Sequence, residues 1–375
     1  MLRKYGIAIA LFLVQALLLL WGVRHYAGKK EAPLSPQAPS LARHPSPTPT
    51  VKPPAQPQPP TPTVKPPAQP QPPTPTVKPP VPASPSRPAG AGLFHPDYFP
   101  VAEKPMKDSL RRELKEVRSG LVLDLDTRTI LWQKDAARSY PLASLTKLMT
   151  ALLLMEYLEQ TPGVTLDTLV PVTAEDRKYF REMGIKGVFL DTGEKYRLDE
   201  YLMCMLVASA NDCAYLVGRY LAGDVPERFP EMMNRRAADW GLQGMHFYNA
   251  HGLPLVQGGQ RRENYGSALE VAYLALRAIQ YPAIRKWAAT DRGRIRADKK
   301  NPFDVISTNK LLRGKVPGVN GLKTGLTDGA GSCIVVTCER NGKRRMVVVM
   351  GVKPGDHGRR RDELAKKLLE WSYQP

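Results

Sequence analysis

Ser144 and Lys147 lie three residues apart in the run Pro141-Leu-Ala-Ser-Leu-Thr-Lys-Leu-Met-Thr-Ala151. In a helical turn that spacing puts both side chains on one face, within reach of a hydrogen bond. A serine hydroxyl is inert unless a base takes its proton, and a lysine serves as that base only where burial or neighbouring cations lower its pKa. Two further strings complete the set. Ser209-Ala-Asn211 offers a hydroxyl and an amide, and Lys323-Thr-Gly325 offers a cation and a hydroxyl, with a glycine that lets a substrate backbone come close. Together they supply a nucleophile, candidate bases and a cationic carboxylate clamp. Singly each is ordinary, since Ser and Asn also cap helices well.

The elements that must position these residues can be read from period and punctuation. Ser119 to Asp124 alternates as a strand, Thr127-Arg128 turns, and Thr129 to Gln133 returns as its hairpin partner. Leu145 to Leu158, rich in Leu, Met and Ala, reads as a long buried helix with Ser144 at its N-terminus. There the helix potential and a free backbone N–H would favour an oxyanion. Asp199 to Val207 and Asp212 to Leu221 are helices flanking the second string. Glu227 to Trp240 and Ser267 to Gln280 are two more, the last opened by a Ser267 and Glu270 capping box. Strand character returns at Gly321 to Lys323, Ser332 to Arg340 and Arg344 to Val352, with an Asn341-Gly342 hairpin turn between the last two. His357 to Tyr373 closes as an amphipathic helix with Leu364, Leu368, Leu369 and Trp371 on its apolar side. The expected fold class is α/β in the α+β sense: an antiparallel sheet packed with helices, interrupted by an all-helical lobe at about 150–300. The cleft then lies between lobe and sheet.

These motifs, in this order, resemble those of the low-molecular-mass penicillin-binding proteins, serine D-alanyl-D-alanine carboxypeptidases related to the serine β-lactamases. The likeness covers about Ser119 to Tyr373 and extends to Asn249-Ala-His-Gly-Leu253, Thr308-Asn-Lys-Leu-Leu312 and Gly321-Leu-Lys-Thr-Gly-Leu-Thr-Asp-Gly-Ala-Gly331. The resemblance implies a β-lactamase/transpeptidase-like fold and acyl transfer through an acyl-enzyme on Ser144, with peptidoglycan stem peptides as substrate and β-lactams as covalent inhibitors. It implies Lys147 as base, Ser209 as proton relay to the leaving amine, and Asn211 as the holder of Lys147 and the substrate backbone. Lys323, Thr324 and Gly325 would bind the substrate's terminal carboxylate, and the N–H groups of Ser144 and Leu326 would form the oxyanion hole. His251 would pack and hydrogen-bond rather than act as a base. Leu326 departs from the histidine or tyrosine of many relatives, which alters the cleft wall.

Three other activities fit parts of the pattern. A D,D-endopeptidase cleaving peptide cross-links would use the same residues. A non-catalytic wall-binding protein would keep only the cleft. A class A β-lactamase would need a Glu-x-x-x-Asn loop, and Glu231 with Asn234 has the wrong spacing on a predicted helix.

The first hundred residues cannot form a core. Residues 6–23 are an apolar run broken only by Gln15, about 27 Å long at ~1.5 Å per residue, and read as a signal anchor or signal peptide behind a cytoplasmic stretch at 1–5. Residues 32–99 are a proline-rich linker in which Thr-Pro-Thr-Val-Lys-Pro-Pro-Ala-Gln-Pro-Gln-Pro-Pro begins at Thr48, Thr61 and Thr74. Extended as polyproline II, it would be a semi-rigid stalk on the order of 200 Å long. The catalytic domain is expected at 107–375, outside the cytoplasm in a bacterial envelope, tethered to the inner membrane or secreted if the apolar run is cleaved. The net charge of +19 suits anionic wall or lipid surfaces, and no nucleic-acid signature accompanies it. Cys204, Cys213, Cys333 and Cys338 show no metal-ligand spacing and are expected as mostly buried, unpaired thiols, with a Cys204–Cys213 bridge as the alternative, and no histidine pair suggests a metal. No cofactor is expected.

Overall fold

An antiparallel sheet of five strands joins the two ends of the catalytic segment. In chain order its strands are β1 (Ser119–Asp124), β2 (Thr129–Lys134), β3 (Val319–Thr327), β4 (Gly331–Arg340) and β5 (Lys343–Val352). Their spatial order is β3-β4-β5-β1-β2, with registers such as Lys323 opposite Val335 and Leu121 opposite Val348. The computed structural model describes residues 99–375 except 186, 189 and 297–301. The apolar run at 6–23 and the proline-rich repeats lie outside the described residues. Among the described residues no helix is long and apolar enough to cross a membrane. Packing already includes Phe99, which is 7% exposed, and Ala102 and Lys104 donate backbone hydrogen bonds to β2 ahead of position 107.

The sheet is buried on both faces, and the alternation of side chains along each strand divides two cores. Cys333, Val335, Met346, Val348 and Met350 point toward the helical insertion. Ile334, Val336, Cys338, Val347 and Val349 point toward the terminal helices. This split places Cys333 and Cys338 on opposite faces, and all four cysteines are buried and unbridged.

The helices of seven residues or more among the described residues are α1 (Lys147–Gln160), α2 (Ala174–Glu182), α3 (Leu198–Val207), α4 (Asn211–Leu221), α5 (Phe229–Asp239), α6 (Ala268–Ala278), α7 (Pro282–Ala288) and α8 (Arg359–Tyr373). Helix α1 buries ten consecutive residues, Lys147 to Glu156, so it is surrounded by protein on all sides rather than on one stripe. Ser267 and Glu270 form the expected capping box at α6, a device that contributes about 1 kcal/mol. Helix α8 covers the far face of the sheet with Leu364, Leu368, Leu369 and Trp371, as its apolar pattern requires.

The insertion between β2 and β3 is helical at its centre but carries four short two-stranded ribbons that helical period did not reveal. One of them pairs Tyr140–Pro141 with Tyr265–Gly266, shortly before Ser144. The helix expected from Leu145 also starts later. Ala143–Thr146 form a 3₁₀ turn and the α-helix begins at Lys147. Ser144 therefore stands in a tight turn that precedes the helix, not at an α-helical N-cap.

Candidate active site

The turn carrying Ser144 is fixed from three sides. Leu142 donates its N–H to the Asn264 carbonyl at 2.8 Å, and Asn264 Nδ2 donates to Thr146 Oγ1 at 3.0 Å. Gly252, at φ +86, lies so close that a Cβ there would sit 1.9 Å from the Ala143 carbonyl oxygen. Gly325 of β3 presses on the same turn, its hypothetical Cβ 3.2 Å from the Ser144 nitrogen. At Gly252 any side chain would enter the space of the Ala143 carbonyl, whereas at Gly325 a Cβ would be a tight contact.

Lys147 is fully buried, and its ammonium nitrogen is within 2.8 Å of Ser144 Oγ, 2.7 Å of Asn211 Oδ1 and 2.7 Å of the His251 carbonyl oxygen. Burial holds its pKa well below the usual lysine value, and the charge on Lys323 pushes the same way, while Asp212 opposes. A neutral amine has two N–H groups and one lone pair. Asn211 Oδ1 and the His251 carbonyl can only accept, so they take the two N–H groups. The lone pair is left to the Ser144 hydroxyl. An ammonium would donate to all three oxygens as well, so burial and the Lys323 charge, not the partners, are what favour the neutral form a base requires.

The His251 carbonyl is delivered by a loop that Asn249 folds. Asn249 Oδ1 accepts from the N–H of His251 at 3.0 Å and of Gly252 at 2.6 Å, and its Nδ2 donates to the Leu253 carbonyl at 2.9 Å. The His251 imidazole is itself buried. Its Nδ1 accepts from the Leu253 N–H at 3.1 Å, and burial with the nearby Lys147 charge lowers its pKa to about 3. It is a neutral packing group.

Ser209 and Asn211 leave the α3–α4 junction toward the cleft. Ser209 adopts φ +60, rare for a side-chain-bearing residue, a strain of order 1–3 kcal/mol that sites of chemistry tend to hold. Its Oγ accepts from Lys323 Nζ at 2.8 Å. Next to Asn211, the Asp212 carboxylate is buried, accepts from the Val188 N–H at 2.9 Å, and has its pKa raised by that burial. Asp212 thus ties the loop at 187–188 to the start of α4.

On the sheet side, Lys323 is 1% exposed and also donates to the Thr324 carbonyl at 2.8 Å. Burial, with the Arg361 charge behind it, lowers its pKa to about 7. Thr324 Oγ1 is 2.6 Å from Thr308 Oγ1, and Asn309 fixes that neighbour by donating to the Gly321 carbonyl at 3.0 Å. Leu326, the residue after Gly325, is 46% exposed. The structure therefore gathers Ser144, Lys147, Ser209, Asn211, Lys323, Thr324 and Gly325 around one cleft.

Three contributors were not given roles from the sequence: the Thr308 hydroxyl, the His251 carbonyl and the Asp212 carboxylate. The Asn249–Leu253 and Thr308–Leu312 blocks marked two of the places, but a backbone oxygen leaves no trace in residue types. Asn234, weighed against a deacylation role, instead pins the Phe247 backbone through both amide atoms. Among the described residues no group of three or more His, Cys, Asp or Glu could hold a metal.

The sequence profile of the D-alanyl-D-alanine carboxypeptidase family matches residues 109–354. The chain is 28% identical over 258 residues to D-alanyl-D-alanine carboxypeptidase DacF of Bacillus subtilis, covering 69% of this chain and 62% of that protein. It is 31% identical over 268 residues to D-alanyl-D-alanine carboxypeptidase DacD of Escherichia coli, covering 69% and 64%. It thus spans less than two thirds of the length of these relatives. Among solved structures it is similar to penicillin-binding protein D2 of Listeria monocytogenes in its ampicillin-bound form, at 25% identity and TM-score 0.56, covering 69% of this chain and 98% of that one. With the site geometry in place and more than half of the sequence matched, the chain belongs to the D-alanyl-D-alanine carboxypeptidase family of serine peptidases.

Proposed function

We propose that the protein is a serine D-alanyl-D-alanine carboxypeptidase that trims peptidoglycan stem peptides. The observation that carries this reading is the buried Lys147 nitrogen 2.8 Å from Ser144 Oγ and 2.7 Å from both Asn211 Oδ1 and the His251 carbonyl oxygen. Ser144 Oγ attacks the carbonyl between the two terminal D-alanines as Lys147 accepts the hydroxyl proton. The negative oxygen of the tetrahedral intermediate is held by the N–H groups of Ser144 and Leu326. As the C–N bond breaks, Ser209 passes a proton to the leaving amine, and D-alanine departs from Lys323, Thr324 and Thr308, which bound its carboxylate. The proton that Lys147 took from Ser144 refills Ser209 and leaves Lys147 neutral. Water then attacks the acyl-enzyme ester, and Lys147 takes the water's proton and delivers it to Ser144 Oγ as the ester C–O bond breaks.

Penicillin carries a strained amide beside a carboxylate and would enter the same cleft to acylate Ser144. The N-terminal apolar run, as a signal anchor or signal peptide, and the proline-rich linker would place this domain outside the cytoplasm of a bacterial cell, within reach of the wall. The deciding experiment incubates the protein with a monomeric pentapeptide and with cross-linked peptide fragments. Release of D-alanine from the monomer is expected; cleavage of the cross-link alone would make the protein an endopeptidase.

A further inference from the structure

The cleft has a direction. If Lys323 and Thr324 hold the substrate's terminal carboxylate and the scissile carbonyl lies at Ser144 and Leu326, the acyl side must run past Thr327 toward the β3–β4 tip. At that tip Arg118 Nη1 donates to the Gly329 carbonyl at 3.0 Å. The Arg118 guanidinium also lies over the Tyr140 ring, 5.6 Å from its centroid, and Arg138 lies over the same ring at 5.4 Å. Two cations on one aromatic ring repel each other, yet neither has an acidic partner among the described residues. Glu263, packed under Gly329, is occupied by Arg261 at 2.6 Å. Asp328 is the remaining acid at the tip, and with it counted the rim stays cationic.

Reach fits this placement. Tyr140 is four residues before Ser144, and Gly329 is four residues after Gly325. Four extended residues span at most about 14 Å, so the backbone of Tyr140 lies no farther than that from Ser144, and that of Gly329 no farther than that from Gly325. Guanidinium groups are matched to carboxylates in shape and charge.

We propose that Arg118 and Arg138, stacked on Tyr140, form a subsite for a free carboxylate on the acyl side of the substrate, two or three residues before the scissile bond. The inference rests on the carboxypeptidase reading and adds a specificity to it. An amidated substrate would lose this contact, so the rim would sort stem peptides by whether that carboxylate is free.

The test uses the full chain and peptides ending in D-Ala-D-Ala, each with a free carboxylate two or three residues before the scissile bond, paired with its carboxamide counterpart. The acid is expected to exceed the amide about five- to tenfold in kcat/KM, chiefly through KM. That ratio should fall toward one in R118Q/R138Q and in Tyr140→Ala, and shrink in the unaltered protein as salt is raised. Equal kcat/KM for acid and amide, or a preference indifferent to both substitution and salt, overturns the subsite. Absence of both D-alanine release and a penicillin adduct removes the carboxypeptidase reading itself, and the subsite with it.

Discussion

Lys147 and Lys323 face each other across the cleft as two buried lysines, and the charge of Lys323 is, after burial, the chief cause that lowers the pKa of Lys147. In the proposed mechanism one is neutral to take the Ser144 proton and the other charged to hold a carboxylate. Burial lowers both, but Lys323 only to about 7. Raising the pH increases the neutral fraction of Lys147 and, above about 7, discharges Lys323. A bell-shaped kcat/KM profile is therefore expected for D-alanine release, with its falling limb near 7. In kcat at saturating substrate the falling limb should move to higher pH, because a bound carboxylate stabilises the ammonium. A kcat/KM that still climbs above pH 9 would contradict this assignment.

The same burial makes Lys323 a cost to the fold. Its folded pKa lies below the unfolded value of 10.5, so between about 7 and 10.5 the unfolded chain binds more protons and stability rises with pH. Below 7 the full penalty is present. Lys323→Met should remove a few kcal/mol of it, offset in part by the lost bonds to Ser209 and Thr324, and raise Tm by roughly 5 °C at pH 7. The gain should shrink toward pH 10, and D-alanine release should be lost. A Tm that falls at pH 7 would show that the hydrogen bonds outweigh desolvation.

Gly252→Ala tests the contact that sets the nucleophile's turn. The added methyl would meet the Ala143 carbonyl, and φ +86 is unfavourable for alanine in any case. Acylation by penicillin should slow by about a hundredfold with a loss on the order of 2 kcal/mol in stability. A rate within threefold of the unaltered protein would mean that the turn does not depend on this approach.

His251 has a folded pKa of about 3 against 6.5 unfolded. The unfolded state therefore binds more protons as pH falls from 6.5 toward 3, and this residue subtracts stability across that window. Its imidazole resonances in NMR should stay constant from pH 5 to 8. A midpoint near 6.5 would place the ring in solvent and contradict its burial.

Legibility followed sequence distance. Ser144 and Lys147 could be paired because they share one turn, and α1, α3 to α6, α8 and β4–β5 were readable because their period is local, whereas the short α2 and α7 were not named. The late start of α1 was not, since it depends on Gly252 and Gly325 pressing on Ala143 and Ser144 from distant segments. The four ribbons escaped for the same reason: each is two to four residues long and stabilised by what it packs against. The φ of Ser209, the His251 carbonyl and the Thr308–Thr324 pair are products of tertiary contact. The roles assigned to Lys323, Ser209 and Asn211 came from a family resemblance, and the geometry now supplies their distances.

The account stands or falls on whether Ser144 is the acylated nucleophile. Intact-mass measurement after incubation with penicillin, with peptide mapping of the product, tests this most directly. A single covalent adduct mapped to Ser144, absent from a folded Ser144→Ala protein, is predicted. No adduct on the unaltered protein, or an adduct that persists in Ser144→Ala, would contradict it.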